Sequence, residues 1–205
     1  MTKLILASAS PRRRDLLTAL GIEFEVRPPH VDESPLPGES PLETQHRITL
    51  LKARTANTDH GIVIAADTTV LLDGDMLNKP VNADDARHML RRLRGRIHEV
   101  QSCVVIKQDA HEHIDIVSSL VRMRPYTDEE IEAYIATGDP FDKAGAYAVQ
   151  HAAFRPVAEI RGCPLNVIGL PLCALRRRLP DLPDTTPVCK QFSGRSCAEN
   201  LSASK

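Results

Sequence analysis

Hydrophobic positions follow two rhythms along this 205-residue chain: short continuous runs, and stretches in which they recur every three or four residues. The first run, Leu4-Ile5-Leu6-Ala7, predicts a strand, and it breaks into Ser8-Ala9-Ser10-Pro11-Arg12-Arg13-Arg14. Ser10 is a candidate N-cap, and Pro11 suits a first helical position because proline has no N–H to lose there. Leu16, Leu17 and Leu20 supply the face of that helix, and Gly21 stops it. A short strand is expected over 23–27. Residues 28–41, rich in proline and acid, read as a loop. A helix follows over about 41–57, with Leu42, Ile48 and Leu51 on one side and His46 as a further candidate. The run Ile62-Val63-Ile64-Ala65-Ala66 is apolar at every position, as in a strand buried on both faces. It continues through Asp67-Thr68-Thr69-Val70-Leu71-Leu72 to Asp73-Gly74, a tight-turn signal.

Further along, 83–93 reads as a helix capped by Asn82 and stopped near Gly95. The runs 97–107 and 114–124 predict a hairpin joined by the polar turn 108–113, which places His111 and His113 at its tip. Thr127 and Glu130 have capping-box spacing, and Gly138-Asp139-Pro140 ends the helix they start. Short strands are expected at 147–150 and 154–160, and a last helix over 165–179. Residues 1–180 therefore read as one mixed α/β domain, a twisted sheet with flanking helices. The tail, 181–205, turns to Pro, Ser, Thr and Asp without periodicity and reads as mostly disordered.

Charge narrows the partners. Twenty-six Lys+Arg against 27 Asp+Glu give a net charge of −1, unlike the basic excess of a nucleic-acid coat. Four Phe, three Tyr and no Trp offer little platform for stacking single strands. An anion site in such a molecule is a local cluster, which suits a small phosphorylated ligand. The five cysteines are scattered without zinc spacing, and neither a signal peptide nor a membrane span is legible, so the expectation is a soluble cytoplasmic protein.

The anion cluster is the opening turn itself. A strand feeding a helix start presents unpaired N–H groups and the positive end of the helix dipole, and three successive arginines there call for an anion, unless they are simply solvated. Asp67, at the end of the apolar run, needs a partner such as a metal or a lysine. Lys79, held by Pro80 after a hairpin, and Lys52, on the helix beside Ile48, read alone as solvated surface; Asp32 and Glu33 lie in a loop where carboxylates are ordinary. Asp142-Lys143-Ala144-Gly145-Ala146-Tyr147 suggests a constrained turn. No P-loop, dinucleotide turn or HExxH is present, and no histidine is spaced to activate a serine.

Taken together, LILASASPRRRDLL (4–17), Asp32-Glu33, RITLLKA (47–53), AADTTV (65–70), LNKP (77–80), GRIH (95–98), DKAGAYAVQ (142–150) and NVIGLPL (166–172) resemble the Maf family of nucleoside triphosphate pyrophosphatases. The resemblance covers about 3–179 and implies an elongated α/β fold with two lobes around a cleft. It further implies hydrolysis of dTTP and UTP to monophosphate and pyrophosphate, with a divalent metal, Mg²⁺ or Mn²⁺. On it Asp67 is the proton acceptor; Ser8, Ser10, Arg13, Lys52 and Lys79 bind phosphates; Glu33 and Asp67 hold the metal; Arg12, Thr68 and Gln150 choose the base. The family pattern has glycine after the glutamine, where this chain has His151, which raises the expectation of crowding at the base pocket. A homodimer is compatible with the resemblance. The rival readings are the same reaction on 7-methyl-GTP or modified nucleotides, and a non-catalytic nucleotide-binding regulator of cell division.

Overall fold

A computed structural model describes residues 3–56 and 61–194. Its elements are β1 (Lys3–Leu6), α1 (Pro11–Ala19), β2 (Glu25–Val26), α2 (Pro41–Thr55), β3 (Gly61–Leu72), β4 (Asp75–Leu77), α3 (Ala83–Leu93), β5 (Ile97–Gln108), β6 (His111–Met123), α4 (Asp128–Ile135), β7 (Val157–Arg161), α5 (Pro164–Ile168), α6 (Leu172–Arg178) and α7 (Thr186–Ser193). Two 3-10 turns, Asp139–Asp142 and Ala144–Ala146, lie between α4 and β7. The strands form one mixed sheet in the order β2-β1-β3-β5-β6-β7, with β4 paired to the far half of β3. β1 runs parallel to β2 and β3, and the other pairings are antiparallel.

Two lobes hang from the same long strands. In the first, Leu6, Ile64, Ala66 and Val104 pack against Leu16, Leu165, Leu172 and Val188 on one face of the sheet. Ile5, Val63, Ala65 and Val105 pack against Ala53 of α2 on the other. Burial on both faces is why 62–66 shows no alternation. In the second lobe Val70, Leu72, Val100 and Met123 pack against α3 and α4. The buried positions of α3, Ala86, Met89, Leu90 and Leu93, keep helical spacing, and the Asn82 side chain accepts from Asp85 N as expected.

A gap in the sheet separates the lobes. On the side of β3 away from β5, β1 pairs with residues 61–64 and β4 with residues 70–72. Residues 65–69 have no strand neighbour on that side among the described residues. Asp67 lies in the middle of this stretch, within β3 rather than at its exit.

Several expectations are corrected. The strand at 23–27 shrinks to β2, and the hairpin turn tightens to Asp109-Ala110, with φ of 52° at Asp109. His113 therefore pairs with Ile106 inside the ladder, away from the tip. Residues 147–150 form no strand, since Ala148 N donates to the Tyr134 hydroxyl at 3.0 Å instead of to a ladder partner. The strand expected at 154–160 begins at Val157. The single helix over 165–179 is broken: Gly169, at φ 127°, ends α5, and Pro171 precedes α6. Ser10 stands at the N-cap of α1, yet its side chain makes no capping bond. On α2 the buried face is Thr44, Gln45, Ile48, Thr49 and Ala53, while Leu51 is exposed; Asn57 lies outside the described residues. The tail is ordered over Thr186–Ser193, because Val188 and Cys189 reach the first-lobe core; 195–205 lie outside the described residues.

Candidate active site

The gap opens into a cleft of about 890 Å³, within the usual range of small-molecule sites. Every residue assigned from the sequence lines it: Ser8, Ser10, Arg12, Arg13, Glu33, Lys52, Asp67, Thr68, Lys79 and Gln150. Groups far apart along the chain thus share one hollow.

Arg13 is its fixed point. The break after α5 turns the Gly169 carbonyl toward α1, where it accepts from Arg13 Nε at 2.9 Å. The two terminal nitrogens donate to Ser8 Oγ at 2.9 Å and Thr68 Oγ1 at 3.2 Å. Arginine carries five N–H groups, so one on each terminal nitrogen remains. Burial pulls the guanidinium below its ordinary value, with Asp67 acting in the opposite direction. Asp67 Oδ1 lies 4.0 Å from the guanidinium and accepts from Thr68 N at 3.1 Å. Ser8 Oγ also accepts from Ser10 N at 3.2 Å, which folds the turn between β1 and α1.

Lys52 reaches the cleft because α2 presents residues 45, 48, 49, 52 and 53 on one stripe toward the sheet. Its Nζ pairs with Glu33 Oε1 at 2.9 Å. Lys79 is exposed on the wall, with no ion pair among the described residues. Arg12 spans the lobes, donating to Asp142 Oδ2 at 3.0 Å. Lys143, 8% exposed, binds Asp142 Oδ1 at 2.6 Å and Asp139 Oδ1 at 2.9 Å. The constrained turn expected at 142–147 is thus an ionic clamp. Gly145 is required within it, since its φ is 70° and a Cβ there would lie 3.0 Å from Val70.

Gln45 was missed by the sequence reading. It is 3% exposed, and its Nε2 donates at 3.1 Å to the carbonyls of Asp67 and Gln101, bracing β3 beside the acid. Its signal was a polar residue three before Ile48 and seven before Lys52. His151 does not crowd the cleft. It turns away, with Nδ1 accepting from Phe154 N at 3.0 Å and its ring edge-on to Tyr134 at 4.7 Å. Cys103, which pairs with Asp67 in the ladder, is an inert thiol pushed up to about 11 by burial.

The oxygen donors suit a hard cation. Glu33 and Asp67 line the cleft, and Gln45 Oε1 is buried there without a hydrogen-bond partner. No group of three or more His, Cys, Asp or Glu among the described residues could hold a metal. Such a donor set fits Mg²⁺ or Mn²⁺ bound through one or two carboxylates, waters and substrate phosphates, rather than a protein cage.

Beneath the cleft, His98 Nε2 meets the Tyr147 hydroxyl at 2.7 Å. Burial pulls this imidazole down to about 4, so the folded protein keeps it neutral. The unfolded chain takes up that proton from about pH 6.5 downward. Stability is therefore full above about pH 6.5 and declines as pH falls toward His98's folded value. In thermal melts, His98→Gln, which keeps a partner for Tyr147, is expected to lose less stability than the parent between about pH 6.5 and 5. Equal acid sensitivity of the two proteins would clear His98 of this role.

The family described as Maf-like protein matches residues 3–182. This chain belongs to the Maf-like proteins. It is 47% identical over 183 residues to the dTTP/UTP pyrophosphatase of Anaeromyxobacter dehalogenans strain 2CP-1, covering 86% of this chain and 93% of that protein. It is 43% identical over 204 residues to the dTTP/UTP pyrophosphatase of Thermomicrobium roseum, covering 92% of each. Among solved structures it is similar to the Staphylococcus aureus Ham1 protein at 11% identity and a TM-score of 0.49, over 98% of this chain and 95% of that one. Within this Maf-like protein no described helix is long and apolar enough to cross a membrane, and α7 lies beyond the residues the family matches.

Proposed function

We propose that this Maf-like protein is a nucleoside triphosphate pyrophosphatase acting on dTTP and UTP, with water attacking the α-phosphorus and pyrophosphate leaving. The observation that carries the reading is the convergence of Arg13, Lys52, Lys79 and Asp67 on one cleft. Attack at the α-phosphorus adds charge to an already anionic centre. Arg13, with two N–H groups to spare, takes two phosphate oxygens at once. Lys52 and Lys79 supply point charges from opposite lobes, and the start of α1 adds N–H groups. Ser8 and Ser10 hold the turn that aims them.

Asp67 accepts the proton of the attacking water. Its Oδ1 lies 4.0 Å from the Arg13 guanidinium, and the Thr68 N–H fixes its orientation. Glu33 and Asp67 would hold Mg²⁺ or Mn²⁺, which when bound orients phosphates and acidifies water. Arg12, Thr68 and Gln150 form the part of the wall that meets the base. Cytoplasmic action suits an odd number of scattered cysteines. A charge near zero argues against stable nucleic-acid binding, and a homodimer is compatible with this chemistry.

The test is a panel of dTTP, UTP, CTP and 7-methyl-GTP with Mg²⁺ or Mn²⁺, identifying the products. Monophosphate and pyrophosphate from dTTP and UTP are expected. Release of single phosphate, preference for 7-methyl-GTP, or binding without turnover would overturn the reading.

A further inference from the structure

Gln150 stands between two cavities. It lines the large cleft, and it also lines a second hollow of about 450 Å³ whose wall includes the end of α7. Its Nε2 donates to the Phe192 carbonyl at 3.2 Å. That carbonyl is available because it belongs to the last turn of a helix, whose final carbonyls have no intrahelical donor. The helix itself is anchored. Val188 and Cys189 are buried in the first-lobe core, and Gly194, at φ 70°, closes the end with its N–H on the Lys190 carbonyl at 2.8 Å.

We propose that α7 sets the base selectivity of the reaction, its Phe192 carbonyl holding the Gln150 amide in the orientation that complements uracil and thymine but not cytosine. This rests on the reading given under Proposed function, in which Gln150 meets the base. A carbonyl can only accept, so the amide must turn its NH₂ toward Phe192. Oε1 and the second N–H are left for a ligand. Uracil and thymine present an N3–H flanked by carbonyl oxygens, so Oε1 accepts from N3 while the N–H gives to the neighbouring oxygen. Cytosine presents a bare N3 beside an amine, which needs the same amide reversed. A glutamine free to rotate serves either base, whereas a pinned one serves the first and leaves unmatched polar groups against the second.

The experiment measures kcat/KM for UTP and CTP, by pyrophosphate release, in the full chain and four variants, with melting temperatures for each. Gln191→Pro kinks the last turn of α7 and Gly194→Val strains its close; neither residue is assigned to the chemistry. Both are expected to lower the UTP-to-CTP ratio about tenfold, the order of one lost base-edge pair, chiefly by raising the use of CTP. The kcat on UTP is expected to stay within about twofold. Gln150→Ala is expected to lower the ratio similarly, and the double variant Gln150→Ala with Gln191→Pro no further. An unchanged ratio in both α7 variants, both still folded, overturns the proposal. So does an additive fall in the double variant, or a Gln150→Ala protein with the parent's ratio. If the parent releases no pyrophosphate from UTP, the assigned reaction itself fails, and α7 loses this role with it.

Discussion

Asp67→Asn is expected to lower turnover by about 10²–10⁴-fold, the range for loss of a general base. The substitution is nearly isosteric. Asparagine keeps an oxygen for the Thr68 N–H, which Asp67 Oδ1 now accepts at 3.1 Å. It cannot take a proton from water, and it removes the negative charge 4.0 Å from the Arg13 guanidinium. That guanidinium is already disfavoured by burial, so some loss of stability accompanies the loss of rate. Nucleotide affinity should change far less, since Arg13, Lys52 and Lys79 remain. The check is kcat from single-turnover pyrophosphate release, beside direct nucleotide binding. Near-native kcat would remove Asp67 from the chemistry.

Arg13→Lys should cost about 10²-fold in kcat/KM and about 2–3 kcal/mol of stability, a conservative change only in charge. Arg13 holds together three partners from distant parts of the chain: Gly169 O, Ser8 Oγ and Thr68 Oγ1. One ammonium at the end of a flexible stem cannot reach all three and still face a phosphate in two places. Each buried acceptor left unpaired costs about 1–3 kcal/mol, partly offset where a hydroxyl finds another partner. Thr68 Oγ1 has such a partner in Ser102 Oγ at 2.8 Å, whereas among the described residues the Gly169 carbonyl is left with the Thr68 hydroxyl alone, at 3.4 Å. Chemical denaturation reads the stability, and steady-state kinetics read the rate. A lysine variant with parental values in both would show that Arg13 is neither brace nor phosphate ligand.

The sequence was most legible where local chemistry decides structure. Asn82 capping α3, the Thr127–Glu130 capping box and the Asp73-Gly74 turn all stand as expected, because each depends on residues a few positions apart. Residue chemistry singled out the arginine turn and Asp67, and the other cleft residues were found through a family pattern. Residue types alone left Lys52 and Lys79 as surface, since nothing local says that α2 and the turn after β4 face the same hollow. Long-range contacts explain what was misread. The run 147–150 has strand composition, but the Tyr134 hydroxyl takes the Ala148 N–H. The run 165–179 has helical composition, but the Gly169 carbonyl is needed by Arg13. In the tail, two buried residues in one turn of α7 were too short a pattern to register against polar surroundings.

The strands β3 and β5 belong to both lobes, and β3 lacks one neighbour at residues 65–69. Any narrowing around a bound nucleotide would therefore be a bend in a continuous ribbon, not a swing on a slack tether. A ribbon yields most easily where one of its seams is missing, and Asp67 sits on that segment. Were the lobes to close on a triphosphate, the same bend would re-aim the Asp67 carboxylate.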